Sequence, residues 1–162
     1  MADASERSSE RSAHAIYGMI IITSALVADR LHLEDTLTAL FVVWGAGIVL
    51  LLAHIYSAFV AETGTRGKWL THSEQHLLIV DNVPVLTAMV VPTVLISLAG
   101  VGLMELRIAV DISIVSAVVA LFAVGLHQSR QAGASAVSQL ALGTLGAVVG
   151  LLVIALEVLL GH

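Results

Sequence analysis

Between Ala53 and Asp81 the chain carries His54, Glu62, His72, Glu74, His76 and Asp81 in one stretch, AHIYSAFVAETGTRGKWLTHSEQHLLIVD, with apolar runs on both sides. Imidazoles and carboxylates in such surroundings support two kinds of chemistry. They pass protons, because imidazole changes charge between about pH 5 and 8. They also hold cations, because His nitrogen and carboxylate oxygen are donors for divalent metals, and His is a common axial ligand of haem iron. His72 and His76 stand four apart, so a continuous helix puts them on one face; with His54 they form a candidate metal set. The candidate ion pathway is His54, His76 and Asp81 with Glu62 at its inner mouth. His14 and His127 lie at the same level, and Asp29 and Asp111 lie towards the outer end. A histidine at a helix end also has a plainer use, hydrogen bonding to headgroups and loop carbonyls. His54 lies too far inside its apolar run for that and needs a partner or a cavity, as intramembrane ionisable groups generally do.

The elements that carry these residues are apolar throughout. Of the 162 residues, 58% are hydrophobic and 12% charged, against roughly 25% charged in soluble domains. Mean hydropathy is +0.99. Several runs approach the ~20 residues that a helix needs to cross a bilayer. The sequence predicts an all-α, polytopic transmembrane bundle with five spans, at about 13–33, 37–61, 76–104, 108–126 and 137–160, after a polar tail over 1–12. The first run has no convincing small-residue cleavage site and reads as a retained span. Pro84 and Pro92 fall inside the third span, where each removes a backbone hydrogen bond near Val80 and Ala88. That predicts a kink or a local break after Asp81, tolerated in lipid only where other groups or water serve the freed carbonyls.

Basic residues set the orientation. Arg7, Arg11, Arg66, Lys68 and Arg130 fall on one side and Arg30 and Arg107 on the other, which predicts a cytoplasmic N-terminus in a multi-pass protein of the cell membrane. The outer side is acidic, with Asp29, Glu34, Asp35, Glu105, Asp111 and Glu157, and reads either as a solvated rim or as a funnel for cations. In the last span Gly143, Gly146 and Gly150 supply small-residue spacing for helix packing. It serves either a neighbouring helix of this chain or a homo-oligomer. There is no cysteine, which removes disulfide and thiolate chemistry. A net charge of −5 with no basic stripe argues against nucleic acid as a partner. Phosphate loops, nucleophile elbows, intramembrane protease motifs and the potassium selectivity filter are all missing, so nothing marks an enzyme.

His14-Ala-Ile-Tyr-Gly18 and Ala53-His54-Ile-Tyr56 resemble segments of a group of small, uncharacterised actinobacterial integral membrane proteins. The resemblance implies a polytopic fold and brings no activity with it. Three functions therefore stand side by side: a channel or transporter for protons or divalent cations; a membrane protein that binds haem or a divalent metal through its histidines; and a non-catalytic module that packs against a partner in the lipid bilayer.

Overall fold

The computed structural model describes residues 16–28 and 35–160. In chain order the elements are α1 (Ile16–Ala28), α2 (Thr36–Arg66), α3 (His72–Asn82), a 3-10 segment (Val83–Met89), α4 (Val90–Gly100), α5 (Leu106–Gln131) and α6 (Ala136–Leu160). Among the described residues the regular structure is entirely helical. α3, the 3-10 segment and α4 follow one another without a loop and make a single pass, His72–Gly100.

Four passes are long and apolar enough to cross a membrane: α2, the α3–α4 pass, α5 and α6. Their apolar windows have hydropathies of 2.0 to 2.4, yet no more than 28% of any window is buried inside the protein. Phe41, Trp44, Val115, Leu145 and Leu151 all point outwards. A water-soluble bundle turns its polar residues out. This one turns hydrocarbon out on every long helix, as an integral membrane protein does. α1 is shorter. Its described residues rise only ~20 Å, less than the ~30 Å of a bilayer core. The remainder of the expected first span, the polar tail, His14 and Asp29 lie outside the described residues.

Each boundary has a local cause. Asp35 caps α2: its carboxylate accepts from the backbone N–H and the hydroxyl of Thr38, both at 2.8 Å. The N–H bond first, then the hydroxyl bond, hold the Asp35 carboxyl below the usual carboxylate range. A carboxyl depressed in this way stabilises the fold above its unfolded pKa, near ~3.9, and ceases to as pH falls through its lower folded value. Asp35→Ala is therefore expected to lower the melting temperature at neutral pH. Asp35→Asn, whose amide oxygen still accepts, is expected to lower it less. The gap between wild type and Asp35→Ala should begin to close below about pH 3.9, as a melting series against pH would show.

α2 runs a turn past its apolar stretch because Thr65 donates to Ala61 O at 2.8 Å and Arg66 pairs with Glu62. Gly67 ends it in the left-handed region, φ 62°, where its N–H reaches Thr63 O at 3.0 Å. α3 begins a turn ahead of its apolar run on a capping box, in which Thr71 N–H and Oγ1 donate to Glu74 Oε2 at 2.8 and 2.6 Å.

The third pass tightens instead of breaking apart. α3 ends at Asn82 and seven residues wind as 3-10 helix before α-geometry resumes. Pro84 has no N–H for Val80 O, and the Val83 N–H is shared between Ile79 O and Val80 O in its place. α1 and α2 grip this segment through glycines. A Cβ added at Gly18 would lie 2.8 Å from Val85 O and 3.0 Å from Ala88 Cβ, and one at Gly47 would lie 2.2 Å from Met89 Sδ. Around that grip Ile22, Leu26, Val27, Ala39, Val43, Met89, Ile96, Val110 and Ile114 form the core, contributed by α1, α2, the 3-10 segment, α4 and α5.

α6 packs on α5, backbone against backbone. A Cβ at Gly146 would lie 2.8 Å from Leu121 O, one at Gly143 3.0 Å from the Phe122 ring, and one at Gly150 3.0 Å from Leu121 Cδ1. From the other side, a Cβ at Gly125 would lie 2.7 Å from Leu142 O. The glycine stripe of α6 is thus used within the chain.

Candidate functional site

His54 is placed by the register of α2. Counting by three and four along that helix gives Leu50, Ala53, His54, Ser57, Ala58, Ala61, Glu62 and Arg66, a single face. The same count along α3 gives Glu74, Leu77, Leu78 and Asp81, with Asn82 beside it. These two faces, with Tyr17 and Ile21 of α1, line a groove of about 790 Å³. That lies within the ~300–1,000 Å³ typical of ligand clefts. Three carboxylates (Glu62, Glu74 and Asp81) share it with one guanidinium, Arg66, so the groove is acidic when His54 is neutral.

Its loop end is tied shut. Arg66 pairs with Glu62 on its own helix and with Glu74 across the turn, while Gln75 Nε2 donates to Leu70 O at 3.1 Å. Phe59 and Trp69 pack with ring centroids 5.7 Å apart. Deeper in, His54 Nδ1 lies 3.0 Å from Leu50 O. A carbonyl can only accept, so Nδ1 carries the proton and Nε2 carries the lone pair of the neutral ring. The Tyr17 ring stands edge-on to the imidazole at a centroid distance of 6.0 Å, and this orients the ring from the α1 side. Asn82 Nδ2 donates to Leu78 O at 2.8 Å.

Beyond the 3-10 segment lies a second, smaller cavity of about 190 Å³, between α1, α4 and α5. Four hydroxyl residues line it: Thr23, Thr87, Ser113 and Ser116.

Of the residues expected to act together, His54, Glu62 and Asp81 share the groove. His76, His127 and Asp111 do not line it. The metal set needs correction. His54, His72 and His76 do not converge, and no three His, Asp or Glu side chains among the described residues are grouped so as to hold a metal ion. The reason is geometrical. His72 and His76 do share a face of α3, but the side turned to α2 carries Glu74, Leu77, Leu78 and Asp81, and both histidines are exposed. His127 instead contacts Gln131 Nε2 at 2.9 Å at the end of α5. Arg66, Glu74 and Asn82 belong to the groove and were not among the expected site residues. The Glu62-x-x-x-Arg66 spacing and the Thr71-x-x-Glu74 box were the signals for two of them.

Compared with known proteins, the chain matches no family model, no curated protein and no solved structure.

Proposed function

We propose that the protein is a proton pathway of the cell membrane, with its N-terminus in the cytoplasm and the groove opening to the inner leaflet. The observation that carries this reading is the meeting of His54 and Asp81, from different helices, in one acidic groove of otherwise apolar walls. Glu62 and Glu74 draw protons towards the mouth. His54 takes a proton on Nε2 while its Nδ1–H stays on Leu50 O, so the ring gains charge without losing its anchor. Asp81, at the end of α3, is the next acceptor and adjoins the 3-10 segment. The hydroxyl-lined cavity on the far side of that segment leads towards Asp111 and the outer rim. A polar route past a non-helical stretch is where membrane proteins tolerate such backbone. Protons suit this donor set better than divalent cations, which need several ligands at one point.

Reconstitution tests it. Liposomes loaded with a pH-sensitive dye, and driven by a potassium gradient with valinomycin, should acidify or alkalinise with the sign of the imposed potential. The rate should exceed that of protein-free vesicles by at least roughly tenfold. Equal rates with and without protein would sink the reading.

A further inference from the structure

The second cavity has a chemistry of its own. Ser113 is 1% exposed, and its Oγ donates to Ala109 O at 2.7 Å. Ser116 Oγ donates to Ser113 O at 2.8 Å. A hydroxyl has one proton to give. With both protons committed to backbone carbonyls, these oxygens offer only lone pairs elsewhere, and the cavity is the space that both residues line. Thr23, 7% exposed, and Thr87 bring two more hydroxyl oxygens to the same wall. Pro92 adds a further condition. It lines the cavity together with Ala88, and it has no N–H to return to the Ala88 carbonyl four residues back. The remaining lining residues (Met19, Ile22, Val91, Ala117 and Ala120) are apolar, and no ionisable side chain is among those that line it.

An uncharged chamber rich in oxygen lone pairs, beside a non-α stretch of a transmembrane pass, suits a small hard cation that carries a single charge. Hard cations select oxygen ligands, and carbonyls at interrupted helices coordinate such ions in membrane proteins. A divalent ion in a low-dielectric site requires carboxylates, and none lines this cavity. We infer that this chamber between α1, α4 and α5 is a binding site for a monovalent cation of the Na⁺ class, held by hydroxyl and backbone oxygens. The volume of about 190 Å³ leaves room for the ion with part of its water shell. The inference does not depend on the proton pathway, because it concerns equilibrium binding at residues other than His54 and Asp81.

Equilibrium dialysis of the full-length protein in detergent with ²²Na⁺ is the direct test. It is paired with thermal melts in NaCl and in choline chloride at equal ionic strength. Saturable binding is expected, with a melting temperature that rises with Na⁺ and not with choline. Ser113→Ala and Thr23→Val, which remove a hydroxyl at nearly constant shape, should each weaken binding roughly tenfold, and Asp81→Asn should leave it unchanged. Two results would overturn the assignment: identical melts in the two salts with no saturable uptake by the wild type, which would mean water alone fills the chamber; or full-strength binding by both hydroxyl variants, which would put the ion elsewhere. The wild-type measurement decides the first without relying on any variant to fold. Loss of flux with Na⁺ binding intact would count against the proton reading alone.

Discussion

Replacing Asp81 with asparagine should reduce proton flux in reconstituted vesicles by at least an order of magnitude. Asn matches Asp in shape and keeps a polar group in the groove, but it does not take up or release a proton. General acid–base groups typically contribute ~10²–10⁴ to the steps they serve, and a tenfold loss corresponds to ~1.4 kcal/mol on the barrier. His54→Ala should act in the same direction and at least as strongly, since it removes the lone pair of Nε2 and the anchor on Leu50 O together. His76→Ala is the control. That histidine is exposed and off the groove, so its removal should leave the flux within about twofold and the fold intact. Wild-type flux in Asp81→Asn, or equal losses in the His54 and His76 variants, would remove the groove from the pathway.

A single methyl group at Gly18 should destabilise the protein by ~1–3 kcal/mol, the usual cost of overpacking a close contact. The added Cβ meets the carbonyl oxygen of Val85 at 2.8 Å, and that oxygen is backbone. Relief requires α1 and the 3-10 segment to separate. Gly47→Ala meets the Met89 thioether instead, a flexible chain that moves aside more cheaply. Gly45 has open space where its Cβ would be, and it lies in the same α2 helix. Gly45→Ala should therefore be neutral or stabilise by up to ~1 kcal/mol, through helix propensity alone. Denaturant titration of the three variants in detergent should rank them Gly18→Ala, Gly47→Ala, Gly45→Ala from least to most stable. No difference between Gly18→Ala and Gly45→Ala would mean that α1 does not press on the segment.

The long helices are legible in the sequence because hydrocarbon over a bilayer's thickness leaves few alternatives. The third pass is legible as irregular, since Pro84 and Pro92 announce missing hydrogen bonds. The residual geometry, a 3-10 winding, depends on which N–H groups replace the missing ones, and sequence does not state that. His54 and Asp81 stand out because an ionisable group inside an apolar run needs a reason to be there. His72 and His76 show the limit of the same logic. Their spacing correctly puts them on one face, but helical period alone does not say which face meets the neighbouring helix. The hydroxyl cavity leaves no trace in the sequence at all. Thr23, Thr87, Ser113 and Ser116 carry no charge, come from three passes and look like ordinary small residues until packing brings them together.

The seven 3-10 residues also act as a store of length and twist. Each rises ~2.0 Å and turns ~120°, against ~1.5 Å and ~100° in an α-helix. Rewinding Val83–Met89 as α-helix would shorten the pass by ~3.5 Å and rotate α3 against α4 by ~140°. Asp81 and Asn82, at the last turn of α3, would leave the groove by that screw motion while α4 stayed where it is. The two prolines ease such an exchange, because each has already given up a hydrogen bond that one of the two windings would otherwise protect.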